Sequence, residues 1–134
     1  MKFSKEIFIS DYKIYNNSPT YIIAEIGTNH HHGDMEIIKR MIKEAKNVGA
    51  NAVKFQTFIT DKLIARDTEH ASRLNSTLEQ GQTWYDLLVS EELTFDKHFE
   101  INNYCKEQNI DFISTPFDDN AIEFLDPLIP FFKI

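Results

Sequence analysis

Short apolar runs alternating with stripes of helical period set the rhythm of this chain from residue 20 onward. The runs 21–26, 52–57, 111–115 and 131–134 are too short for helices and rich in β-branched and aromatic residues, so each predicts a buried strand. Between the first two, Ile37, Ile38, Met41, Ile42, Ala45 and Val48 fall on one stripe. Asp34 is placed to cap that helix at its start, and Gly49 to end it in the left-handed conformation. A short helix is predicted over 84–91. A second starts at Thr94, turns Phe95, Phe99, Ile101, Tyr104 and Cys105 inward, and stops at Asn109. A third, capped by Asp118 or Asp119, buries Ile122, Phe124, Leu125 and Leu128, and Pro130 then precedes the last run.

Residues 1–19 stand apart. Ile7-Phe8-Ile9 and Lys13-Ile14-Tyr15 flank Ser10-Asp11, and Asn16-Asn17-Ser18-Pro19 is a turn cluster, which together predict a β-hairpin arm. From residue 20 the order β-α-β-α-β-α-β with short connections implies right-handed crossovers and a parallel sheet, an α/β fold. A complete (β/α)8 TIM barrel takes about 250 residues, so 20–134 read as its N-terminal half. The polar stretch from Asp61 to Gln82 has no period, and loops that long are commonly functional.

The net charge of −7 argues against nucleic acid or an anionic membrane as a partner, because both reward a basic face. Cys105 is the single cysteine, so there is neither an internal disulfide nor a cysteine metal cluster; it reads as a packing residue. Lys2 is followed by Phe3-Ser4-Lys5-Glu6 rather than an apolar leader, and no apolar run approaches the roughly 18 residues of a membrane span. A cytoplasmic setting is the expectation.

Four of the strands end on polar residues that a buried strand has no structural need for. Strand C-terminal ends face the ligand in parallel α/β folds. Lys54 and Lys133 interrupt apolar strands, and burying an unpaired ammonium costs several kcal/mol. Each therefore meets an anion, either a bound phosphate or carboxylate or a structural partner such as Glu25. Glu25 itself suits sugar hydroxyls or proton transfer. Gln56 shares a strand face with Lys54 and suits a polyol. Ser114 and Thr115 bring hydroxyls to a strand-to-loop turn. His30-His31-His32 matches no zinc spacing, and three consecutive histidines do not converge on one ion from regular structure. His30 reads instead as part of a loop at the site mouth, in support of the substrate-binding residues.

Four segments in consistent order resemble the N-acetylneuraminate (sialic acid) synthase family. They are Ile23-Ala24-Glu25-Ile26-Gly27-Thr28-Asn29-His30, Gly49-Ala50-Asn51-Ala52-Val53-Lys54-Phe55-Gln56-Thr57, Phe112-Ile113-Ser114-Thr115-Pro116-Phe117 and Pro130-Phe131-Phe132-Lys133-Ile134. The resemblance implies a TIM-barrel enzyme that condenses phosphoenolpyruvate with an N-acetylated amino sugar resembling N-acetylmannosamine. Carbon 3 of the enolpyruvate attacks the open-chain aldehyde, water adds at carbon 2, and phosphate leaves to give a nine-carbon 2-keto acid. It further implies that Lys54, Thr115 and Lys133 hold the anionic groups of phosphoenolpyruvate, and that Glu25 and Gln56 contact the sugar. The loop between Asp61 and Gln82 gives an asparagine to the sugar in relatives, for which Asn75 is the candidate. The divalent metal of the family, typically manganese, has ligands on later strands past Ile134, so this segment alone is expected to bind none and to lack turnover. A homodimer is implied for the full-length enzyme.

Two other readings stay open on the residues. One is a Schiff-base aldolase using Lys54 or Lys133 as its nucleophile. The other is a non-catalytic half-barrel that associates with a partner through exposed strand edges.

Overall fold

Alternation along each strand decides how this chain is layered. In the computed structural model, which describes residues 5–68 and 82–133, Ile23–Gly27 (β3), Ala52–Thr57 (β4) and Asp111–Pro116 (β5) form a parallel sheet in the order β3-β4-β5. Successive side chains of a strand take opposite faces. Val53, Phe55 and Phe112 turn to one face and join the hydrophobic core with Ile38, Ile42, Ile101, Cys105 and Leu125. Ala52, Lys54, Gln56, Ile113 and Thr115 turn to the other.

The helices cover the first face. Met35–Asn47 (α1) starts at Asp34, whose carboxylate accepts from the backbone N–H of Glu36 and Ile37, and it ends ahead of Gly49, held at φ +92°. Thr60–Leu63 (α2) is a single turn that the apolar pattern does not announce. Trp84–Glu91 (α3) carries a capping box between Thr83 and Asp86. Phe95–Glu107 (α4) starts at Thr94, and Asn109 stands just beyond it in the left-handed region at φ 53°. Asp119–Leu125 (α5) is capped by Asp118.

Glu6–Ile9 (β1) and Tyr12–Tyr15 (β2) pair antiparallel as the expected hairpin. Asp111, the first residue of β5, fixes it to the N-terminal end of the sheet. One carboxylate oxygen accepts from the Ser10 hydroxyl at 2.9 Å, the other from the Tyr21 hydroxyl. The Tyr21 ring packs edge-on against Tyr12 and Phe131. Burial and the bond to Asp111 together push the Tyr21 phenol well above its ordinary value.

Four expectations are corrected. Val48 is 82% exposed because the α1 stripe closes at Ala45. The buried stripe of α4 is His98, Ile101, Asn102 and Cys105, while Phe99 turns outward, and Ile122 of α5 is likewise exposed. Residues 131–133 make no sheet pairing, although Phe132 packs against the core. The segment is short, and the proline ahead of it offers no N–H to a ladder. Asn75 and Ile134 lie outside the described residues.

Candidate active site

The C-terminal ends of β3, β4 and β5 gather the polar residues of the inner face. Register does the first part of the work: Glu25 stands opposite Lys54, and Gln56 opposite Thr115. The Lys54 ammonium closes an ion pair with the Glu25 carboxylate, the lysine side chain being only 16% exposed and the glutamate 49%. A lysine in an apolar strand is tolerated here because a carboxylate one strand away compensates it.

A break in the β3 ladder does the second part. Between Glu25 and Gly27 the register slips, so that Gly27 rather than Ile26 aligns with Phe55. Gly27 takes φ +61°, a conformation that costs a side-chain-bearing residue energy. A Cβ there would stand 3.3 Å from Glu25 Oε1, 3.6 Å from Gln56 Nε2 and 3.9 Å from Asn29 Nδ2. Three side chains from two strands and a loop thus meet over a bare backbone. Asn29 is held by its own backbone N–H and by its Nδ2, both donating to the Ile26 carbonyl at 3.0 and 3.2 Å.

Thr115 is half-buried on the same face. The remaining residues singled out by sequence are not brought there. Ser114 lies on the helix-facing side, fully buried, with its Oγ 2.7 Å from Thr57 Oγ1. Alternation along β5 requires this, since Ser114 and Thr115 cannot share a face. Lys133 is exposed on the unpaired segment 131–133.

His30 is buried under the β3–α1 loop on the helix side. Its Nδ1 accepts from the Gly33 N–H at 2.9 Å, so Nε2 carries the proton, and that nitrogen has no partner among the described residues. Burial, helped by the neighbouring His98, Lys97 and His32, pulls its pKa down to about 4. His32 is turned away, its Nδ1 3.0 Å from the Ser90 carbonyl. Among the described residues no group of three or more His, Cys, Asp or Glu is arranged to hold a metal ion.

Asn29 and His98 escape the reading from sequence. Asn29 lies inside a quoted motif, and its position after a glycine bulge could have flagged it. His98, Ile101, Asn102 and Cys105 have the spacing i, i+3, i+4, i+7 of a buried stripe. Phe95, Phe99 and Tyr104 of that helix hide it. A cavity of about 510 Å³ lies at the other end of the sheet, between the hairpin and the strand N-terminal ends, lined by Tyr12, Tyr21, Lys46, Lys106 and Asp111. It is a joint between two parts of the fold, remote from Glu25 and Gln56. No helix of the described residues is long and apolar enough to cross a membrane.

The chain is 38% identical over 105 residues to the N,N'-diacetyllegionaminic acid synthase of Legionella pneumophila, covering 78% of this chain and 29% of that protein. It is 37% identical over 117 residues to the N-acetylneuraminate-9-phosphate synthase of Homo sapiens, covering 87% of this chain and 32% of that one. The crystal structure of the N-acetylneuraminic acid (sialic acid) synthetase of Leptospira borgpetersenii, in complex with citrate, superposes with a TM-score of 0.74 at 30% identity. That match covers 93% of this chain and 39% of the other. The chain thus spans about a third of the length of the curated relatives it matches. The NeuB family pattern matches residues 41–134. With these relatives and the motifs at the ends of its three parallel strands, the chain belongs to the NeuB family, that of the sialic acid synthases.

Proposed function

We propose that this chain forms the phosphoenolpyruvate-holding side of a sialic-acid-type synthase, which joins phosphoenolpyruvate to an N-acetylated amino sugar. The observation that carries the reading is the Glu25–Lys54 ion pair at the strand C-terminal ends, with Gln56 and Asn29 converging over Gly27. Lys54 supplies a cation that a bound carboxylate or phosphate can share with Glu25, and Thr115 offers a hydroxyl from the neighbouring strand. Gln56 and Asn29 carry amide groups that both donate and accept, as alternating sugar hydroxyls require. Glu25, relieved of Lys54 by the incoming anion, becomes available to take a proton from a hydroxyl. Lys133 enters the reading through the family motif alone.

A Schiff-base aldolase fits less well. An ion-paired ammonium has no lone pair with which to attack a carbonyl, and Lys133 lacks the desolvated pocket that activates such a lysine.

Titration calorimetry with phosphoenolpyruvate tests the proposal. Binding by the unaltered chain that disappears in Lys54→Ala is the expected result. Unchanged binding in that variant, or none by the unaltered chain, overturns it.

A further inference from the structure

Behind the inner face, on the side covered by helices, a chain of buried polar groups runs from α4 to the ends of β4 and β5. His98 Nδ1 lies 2.9 Å from the Thr94 carbonyl, His98 Nε2 lies 2.8 Å from Thr57 Oγ1, and Thr57 Oγ1 lies 2.7 Å from Ser114 Oγ. His98, Thr57 and Ser114 are all fully buried.

The directions of these bonds follow from donor counting. A carbonyl only accepts, so Nδ1 carries the imidazole proton and Nε2 of the neutral ring must accept. Thr57 then donates its one hydroxyl proton to His98, and Ser114 donates to Thr57. Burial lowers the His98 pKa, which favours this neutral ring. Every member has one consistent role, and no rotation of either hydroxyl preserves both bonds.

Thr57 and Ser114 are the chain neighbours of Gln56 and Thr115, which are register partners on the opposite face. A strand residue that cannot rotate fixes the backbone from which the next side chain departs. Two adjacent strand ends pinned to each other and to one helix thereby hold Gln56 and Thr115 at a constant separation. The Phe117 N–H adds a bond to the Thr57 carbonyl at 3.0 Å.

We infer that the His98–Thr57–Ser114 chain is a positioning device for the Gln56–Thr115 pair. His98 and Thr57 are thus positioning residues, and Ser114 acts from behind the site rather than on substrate. The part of this inference that concerns ligands rests on the synthase reading above; the part that concerns geometry does not.

Nuclear magnetic resonance of the full 134-residue chain separates the two. In Thr57→Val, which keeps the shape and removes the hydroxyl, the Gln56 side-chain amide and the Thr115 methyl resonances are expected to move or broaden. Those of Ile7 and Ile14 in the hairpin are expected to stay in place. Thr57→Ser restores the first set. Unmoved Gln56 and Thr115 resonances in Thr57→Val overturn the inference, and so does a change spread evenly over the whole chain. Should Thr57→Val fail to fold, Ser114→Ala, which removes only the terminal donor, gives the same reading with a smaller displacement. If phosphoenolpyruvate binds, its affinity is expected to fall about fivefold in Thr57→Val, the change that one neutral hydrogen bond makes, with recovery in Thr57→Ser. Absence of binding to any form would strike the synthase reading and leave the resonance test decisive for positioning.

Discussion

Glu25 and Lys54 face each other across the β3–β4 ladder, and their ion pair sits where the strands open to solvent rather than in the closed core. A pair with one partner half exposed adds little to stability, at most about 1 kcal/mol. Lys54→Met is therefore expected to leave the thermal midpoint within a few degrees of the unaltered chain. The same change is expected to cost more than about tenfold in phosphoenolpyruvate affinity, since a charge-assisted contact is worth about 1.5–3 kcal/mol. Thermal unfolding and calorimetry on one preparation check both. A large loss of stability with affinity retained would mark the pair as structural.

Gly27→Ala tests the bulge. The substitution puts a side chain at φ +61° and a methyl group 3.3 Å from Glu25 Oε1. The expected cost is about 1–2 kcal/mol of stability, measured by urea unfolding. Ligand binding should fall further than stability alone explains, because the methyl group occupies the space between Glu25, Gln56 and Asn29.

Acid is expected to loosen the loop that carries Asn29. His30 is held down to about 4 chiefly by burial, helped by the nearby His98, Lys97 and His32, whereas an unfolded histidine titrates near 6.5. Above pH 6.5 neither state takes up the proton and the stabilising contribution is complete. Between 6.5 and 4 only the unfolded chain binds it, so stability falls with pH by roughly 1 kcal/mol per unit. Buried His98 pulls in the same direction. Urea midpoints at pH 7.5, 6 and 5 should decline in that order, and His30→Gln should flatten the trend. Equal midpoints at all three would refute the assignment.

Cys105 should behave as an inert thiol. Burial, with a smaller push from the charge of Asp111, raises its pKa to about 12, and the residue is wholly enclosed. Native protein at pH 8 is expected to resist an aromatic disulfide reagent until denaturant is added. Stoichiometric labelling within minutes under native conditions would contradict the packing described.

Asp111→Ala removes the acceptor shared by Ser10 and Tyr21. A loss of about 2 kcal/mol is expected, as for hydrogen bonds to a charged group. Faster amide exchange should be confined to β1 and β2.

Much of this arrangement is legible in the sequence where one residue settles one local question. Asp34, Thr94 and Asp118 each place a helix start because a side-chain oxygen there satisfies free backbone N–H groups. Lys54 and Glu25 announce themselves because charge in an apolar strand demands a partner. What stays hidden depends on relations between distant residues. Ser114 and Thr115 look equivalent in a string of letters, and only the phase of β5 against β4 sends one outward and the other inward. His98 reads as an ordinary polar position until Thr57 is seen beneath it, 41 residues away. The strand expected over 131–134 is a similar case, since its apolar letters do not say whether residues 131–133 pair with β5.

Strand β5 is anchored to the hairpin at one end and meets Gln56 at the other. Asp111 grips the hairpin, while Thr115, four residues on and about 13 Å away at the usual rise per residue, stands opposite Gln56 at the far rim. Mutation, tagging or lengthening of the arm therefore draws on a reserve of stability separate from the one that shapes recognition.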